Sequence, residues 1–151
     1  MIRSVLLKIR TEGIWGLFRK AWRTLFPLRL DCCEQYLAHF KDKVGLEIGG
    51  PSFKFGDRGM LPVYPIAQRI DNCNFSHKTV WEGNIEDGST YVFHREKQPG
   101  CQFILEATDL NAITSQAYDF VLSSHALEHI ANPLLALEEF KRVLKMGGYL
   151  L

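Results

Sequence analysis

The stretch that most constrains this chain is the run Asp119-Phe120-Val121-Leu122-Ser123 with the helix signals that follow it. An apolar run without alternation is the pattern of a strand covered on both faces, which is how parallel strands sit in a sheet. Further on, Asn132 offers a side-chain cap, and Pro133 stands at the first helical position, where a missing N–H costs nothing. Leu137, Phe140 and Leu144 supply an inner stripe. Glu138 and Glu139 lie toward the start, while Lys141, Arg142 and Lys145 suit the negative end of the helix dipole. Gly147 is expected to close this helix, and Gly147-Gly148-Tyr149-Leu150-Leu151 reads as a further strand beginning. Strands alternating with helices point to an α/β domain built on a mostly parallel sheet.

The rest of the chain fits that frame. Residues 31–43 form a short helix candidate around Tyr36, Leu37 and Phe40. Val44-Gly45-Leu46-Glu47-Ile48 is a strand running straight into Gly49-Gly50-Pro51-Ser52, and from there to Pro65 the segment, rich in Gly, Pro and aromatics, reads as irregular. A second strand is expected at Ile66–Asp71. Residues 72–100 are loop-rich, with a short strand near Thr79–Trp81 and a hairpin-like Thr90–His94; Cys101–Glu106 is a further strand.

Ahead of this domain, residues 2–26 carry two amphipathic helical pieces: Ile2, Val5, Leu6 and Ile9, then Trp15, Phe18, Trp22, Leu25 and Phe26, stopped by Pro27. Residues 1–29 hold seven Lys/Arg against one acid, a charge of +6, and the remainder carries −5. The chain therefore divides into a basic amphipathic helical arm, 1–30, and an acidic domain, 31–151. The arm can pack on its own domain or a second subunit, or lie peripherally on an anionic membrane surface. The acidic domain is a poor nucleic-acid binder, which excludes that class of partner. With 46% hydrophobic and 23% charged residues the chain is globular, and no apolar run is long enough to span a membrane. Cys32, Cys33, Cys73 and Cys101 form no Cys-x-x-Cys pair and no signal peptide precedes them, so a reduced cytoplasmic setting without thiol-bound metal is expected.

Ligands of open α/β sheets bind beyond the carboxyl ends of the strands. Three such ends carry suitable residues. Gly49 and Gly50 let a ligand approach the backbone after Glu47. Asp71 stands twenty-two positions after Gly49, about where an acid meets ribose hydroxyls in dinucleotide folds. Glu106, followed by Ala107, offers a carboxylate to an adenine amino group. In this order and spacing the sequence resembles the class I S-adenosylmethionine-dependent methyltransferases, of the type 11 kind, over roughly residues 44–151. Val44–Gly50 resembles the first motif and Glu106-Ala107-Thr108-Asp109-Leu110 the segment framing the adenine. Most specific is Tyr118–Ile130, followed by Asn132-Pro133 and Phe140–Gly148.

The resemblance implies a Rossmann-like, doubly wound sheet, C-terminally incomplete because the strand at Tyr149 corresponds to the fifth of seven. That would leave the strand at 119–123 as an unpaired apolar edge. It implies S-adenosyl-L-methionine as cofactor, held by Glu47, Gly49, Gly50, Ser52, Asp71, Glu106, Ala107 and Ser123, with Asp71→Ala weakening cofactor binding more than Asp87→Ala. Pro51 and Phe53 replace later glycines of the usual loop, and Pro51 has no amide hydrogen, so the methionine end must be held differently. The reaction is displacement at a sulfonium methyl, in which positioning does most of the work. His125 is the candidate base, with Glu128 and His129 behind it. The acceptor is a small molecule or a glycan, with a preference for a glycan or lipid-linked intermediate drawn from the Leu-Glu-Ile-Gly-Gly-Pro-Ser loop, which is similar to a bacterial subgroup, and from the basic arm. Two other readings stand beside this one. His125-x-x-Glu128-His129 fits a zinc hydrolase pattern, and a truncated, non-catalytic cofactor-binding module could associate with a membrane or partner through the arm.

Overall fold

The computed structural model describes residues 33–79 and 83–151, with Gly16 and Trp22, both helical, in addition. The two helical pieces expected over 2–26 otherwise lie outside the described residues. The elements are helix α1 (Cys33–Leu37), strands β1 (Val44–Ile48), β2 (Arg69–Asn74), β3 (Lys78–Thr79), β4 (Gly83–Asn84), β5 (Gly88–Tyr91), β6 (Gly100–Ile104) and β7 (Tyr118–Ser123), a single 3-10 turn (Leu127–His129), helix α2 (Pro133–Val143) and strand β8 (Leu144–Leu150). Six strands form one sheet in the order β5-β6-β2-β1-β7-β8, parallel except for the antiparallel edge strand β5; β3 and β4 pair as a separate hairpin.

The run that constrained the fold behaves as its pattern demands. Phe120, Val121 and Leu122 are all fully buried, because both faces of β7 are covered. One face packs on α1, the turn after it and the β1–β2 connection through Cys33, Phe40, Phe55, Val63, Tyr64 and Phe120. The other packs on α2 and the segment after β6 through Leu46, Ile48, Leu110, Val121, Ala136 and Phe140. Phe120 stands opposite Gly45 in register, and its ring occupies the space a side chain at 45 would need. Asp119 ties the amino ends of β1 and β7 together. It accepts the Val44 N–H at 3.0 Å and the Lys145 ammonium at 2.9 Å. Burial works against its charge, but Lys145 and the Val44 N–H outweigh it and hold the carboxyl below its usual range.

Four expectations are corrected. The second strand starts at Arg69, not Ile66, because the Ile66 and Ala67 N–H groups both turn back onto the Val63 carbonyl. It then runs on through Asn72 and Asn74, polar residues that read as loop. Gly147 does not close α2: the helix ends at Val143 and β8 begins at once, with Gly147 inside it at φ +77, where the pairing with β7 shifts register. Leu144 accordingly leaves the helix stripe, which is Ala136, Phe140 and Val143. Finally, β7 is not an edge. Phe120 pairs with Tyr149 and Val121 with Leu150, and the Ser123 N–H donates to the Leu151 carbonyl at 2.7 Å. Asn132 caps α2 as expected, its Oδ1 accepting the Leu135 N–H at 3.2 Å.

Candidate functional site

From β1 the chain crosses to β2 on one side, and from β6 it returns to β7 on the other. The topological switch point therefore lies between the carboxyl ends of β1 and β7. Ile48 pairs with both Cys73 and Ser123, so the three strand ends are level. Gly49 leaves β1 at φ +73, its N–H donating to the Cys73 carbonyl at 2.9 Å. A Cβ there would lie 3.2 Å from that of Ala126, so the two loops nearly touch across the switch point. On the β7 side the hydroxyl oxygens of Ser123 and Ser124 are both buried and have no hydrogen-bond partner. An unsatisfied buried hydroxyl is costly, and two in succession at a switch point are polar groups left open to a ligand or to water. His125 follows at φ +57, a left-handed conformation uncommon outside glycine, and such residues cluster at functional sites. Its Nδ1 lies 3.2 Å from Glu128 Oε1. The Glu128 carboxyl is held below its usual range by its own backbone N–H and, beyond that, by His125. An ionised carboxylate only accepts, so the proton of a neutral His125 belongs on Nδ1 and leaves Nε2 as acceptor. Glu106, just past the end of β6, is exposed, and Ala107 beside it is buried.

The glycine loop is built differently from its expected role. Glu47 is 1% exposed and points into the sheet's other face, where Tyr64 and Tyr91 each donate a hydroxyl to Oε2 at 2.6 Å. The Ser52 N–H donates to Glu47 Oε1 at 3.1 Å and to the Tyr64 hydroxyl at 2.8 Å. Burial, followed by the Glu47 charge, pushes both tyrosine hydroxyls well above their ordinary range, so they remain donors. Glu47, Asn72 and Gln102 stand in one row across β1, β2 and β6. Asn72 accepts the Gly50 N–H at 3.0 Å, donates to the Gly50 carbonyl at 3.3 Å and donates to Gln102 at 3.0 Å. Gly50 must be glycine, because a Cβ would lie 2.5 Å from both the Glu47 carboxyl carbon and the Tyr91 hydroxyl. The Gly50-Pro51 peptide is cis.

Of the residues singled out in the sequence, Gly49, Ser123, His125, Glu106 and Ala107 stand at the carboxyl edge, while Glu47, Gly50 and Ser52 form the loop's support. Asp71 is not brought there. The later start of β2 puts it inside the strand, opposite Leu46, with its carboxylate already occupied. It accepts the Cys101 N–H at 2.8 Å and the Tyr118 hydroxyl at 2.9 Å and pairs with Arg69 at 3.1 Å. Arg69, Asp71, Cys101 and Tyr118 line a cavity of about 420 Å³ near the amino ends of β2, β6 and β7, away from the switch point. The Cys73 thiol is raised to about 12 by burial, which suits inert packing. The zinc pattern is not assembled. His125 precedes the turn at positive φ, and Leu127–His129 is one 3-10 turn, so the two histidines do not share a helical face. Sequence reasoning missed Ser124, Asn72, Tyr64 and Tyr91. The last two lie in stretches read as irregular or hairpin-like, where the one available signal was an unusual density of aromatics around a buried acid.

A family model described as a methyltransferase domain matches residues 72–151. No curated protein matches the chain. Among solved structures, the chain is similar to a Haloferax volcanii methyltransferase in complex with the Trm112 methyltransferase activator, at TM-score 0.51 and 18% identity, over 95% of this chain and 57% of that one. It is also similar to a type II methyltransferase from Anaeromyxobacter dehalogenans, at TM-score 0.51 and 12% identity, over 82% of this chain and 46% of that one. The chain thus spans about half the length of these neighbours, and the likeness is one of fold. With the family model covering more than half of its residues, on a doubly wound sheet with a polar, unsatisfied switch point, the chain belongs to the methyltransferase-domain family.

Proposed function

We propose that the chain, from residue 31 on, is the cofactor-binding part of an S-adenosyl-L-methionine-dependent methyltransferase. The observation that carries this reading is the pair of buried, unpartnered hydroxyls of Ser123 and Ser124 at the carboxyl end of β7, beside the switch point. In it, Ser123 and Ser124 donate or accept toward the cofactor, Gly49 lies against it, and Glu106 with Ala107 borders its adenine. A cationic ligand suits the exposed Glu106 carboxylate. When bound, the cofactor supplies a methyl group already activated on sulfur. The chain's own residues then have to place the acceptor in line and take its proton. His125 is the base in this proposal: Glu128 holds Nδ1, which leaves Nε2 to receive the proton from an acceptor hydroxyl or amine.

The acceptor in this reading is a small molecule or glycan, with a glycan or lipid-linked intermediate favoured by the loop at 46–52 and the basic arm at 1–30, which would bring the protein to an anionic membrane surface. Among the described residues no helix is long and apolar enough to cross a membrane. Since the Haloferax neighbour was solved with a protein activator, a protein partner or a second copy sharing in the activity belongs to the proposal. The test is transfer of a labelled methyl group from S-adenosyl-L-methionine to hydroxyl-bearing acceptors, with His125→Ala as comparison. The expected result is transfer by the wild type that falls roughly 100-fold in the variant, as for loss of a general base. Equal rates in both remove His125 from the reaction, and cofactor binding without transfer to any acceptor supports a non-catalytic module.

A further inference from the structure

The loop that sequence reasoning assigned to ligand contact has already donated its amide hydrogens. The Gly49 N–H goes to the Cys73 carbonyl, the Gly50 N–H to Asn72 Oδ1, and the Ser52 N–H to the Tyr64 hydroxyl and Glu47; Pro51 has none. These bonds are not incidental surface contacts. Glu47, Asn72 and Gln102 are each at most 2% exposed, and Tyr91 is fully enclosed with them. The Gly50 carbonyl is held as well, by Asn72 and by Asn74 at 3.4 Å. A glycine-rich loop commonly meets an anionic group through free N–H groups; here those groups face inward.

We infer that Asn72 and Tyr64 are positioning residues: Asn72 takes up the Gly50 amide, Tyr64 and Glu47 take up the Ser52 amide with Tyr91 holding Glu47 in place, and together they set this loop as a fixed wall of the ligand site. The wall offers a ligand the exposed surface of Gly49, not an amide cradle, so the carboxylate end of an amino-acid-bearing ligand has to find its donors elsewhere, the Ser123 and Ser124 hydroxyls being the unpartnered ones at this edge. Neither residue touches the ligand. Asn72 acts through Gly50, whose displacement would carry Gly49 off its close approach to Ala126, and Tyr64 acts through Ser52. The ligand part of this inference rests on the function proposed above; the amide part does not.

The experiment is amide hydrogen exchange on the full chain, with and without S-adenosylhomocysteine as probe, alongside calorimetric titration of that probe. In the ligand-free wild type, the Gly50 and Ser52 amides are expected to exchange at least about 100-fold slower than in an unstructured peptide, and to stay as protected, without new bonds, when the probe is added. Asn72→Ala should release the Gly50 amide and raise the probe's Kd about tenfold or more, while the mid-sheet amides of Leu46 and Ile48 keep their protection. Tyr64→Phe, which keeps the ring and is the safer variant for folding, should speed Ser52 exchange about tenfold and weaken the probe in the same direction. Free exchange at Gly50 and Ser52 in the wild type overturns the inference, as does opening of either amide with no change in Kd. Should the wild type bind no probe, the proposed function falls, and the exchange rates alone decide whether the loop is locked.

Discussion

Replacing Arg142 by alanine removes one guanidinium that fastens the segment between β6 and β7 to helix α2. Its Nε and Nη2 each donate to a different Glu139 carboxylate oxygen at 2.7 Å. Nη1 donates to the Ile113 carbonyl at 2.9 Å and to Ser115 Oγ at 3.1 Å, and Nη2 to the Leu110 carbonyl at 2.8 Å. Glu139 in turn accepts the Leu110 N–H at 2.8 Å. The pair is partly shielded, with side-chain exposures of 30% and 15%. Charge-assisted bonds of this kind contribute about 1.5–3 kcal/mol each when isolated, but they share donors and one solvent-facing side, so the sum is not additive. We expect Arg142→Ala to lose about 2–4 kcal/mol in urea unfolding, and Arg142→Lys to recover less than half, because a point charge cannot span a carboxylate and two carbonyls together. The loss should depend on pH. Arg142 above all, with the Leu110 N–H, holds the Glu139 carboxyl below its usual range, so its contribution is complete above the unfolded carboxyl pKa of about 4.3 and fades as pH falls through the lower folded value. The gap between wild type and variant should therefore be full at pH 7 and narrow in acid. A difference under about 0.5 kcal/mol at pH 7, or a lysine variant as stable as the wild type, would show that the guanidinium does not fasten this segment.

Two further substitutions separate support from binding. Gly45→Ala places a Cβ where the Phe120 ring lies, 2.0 Å from its nearest atom, and should cost about 3 kcal/mol or more in thermal or urea unfolding; Phe120→Leu in the same chain should return part of that, and a neutral Gly45→Ala would show the ring is not packed there. Asp71→Ala should lower stability by about 1–3 kcal/mol by stranding the Tyr118 hydroxyl and the Cys101 N–H, yet leave S-adenosylhomocysteine affinity within about threefold of wild type. A large loss of affinity in a stable Asp71→Ala protein would return that acid to the ligand site.

What was legible in the sequence follows from what each signal depends on. The β7–α2 unit was readable because its signals are local: a continuous apolar run, an Asn cap and a Pro at the first helical position act within a few residues. The end of β2 was not, since Asn72 and Asn74 become strand residues through partners on Gly50 and Gln102, distant in sequence. That three-residue shift is what moved Asp71 from the strand end to its interior. Glu47 shows the same limit. Its place at the end of β1 was visible, but which face it turns to depends on two tyrosines from separate connections meeting over it. The positions of Gly49, Glu106 and His125 at the strand ends bordering the candidate site were legible. Ser124 was not, because an unsatisfied hydroxyl is a property of the packed surroundings and leaves no trace in the sequence.

The proposed site for a ligand of the S-adenosylmethionine type is the carboxyl edge between β1 and β7. The most direct measurement is titration of the ¹⁵N-labelled full chain with S-adenosylhomocysteine, followed residue by residue by NMR. Saturable shifts are expected, concentrated at Gly49, Ala107, Ser123, Ser124 and His125. No saturable binding would contradict that site, and so would shifts gathered instead around Arg69, Cys101 and Tyr118, at the cavity near the opposite ends of the strands.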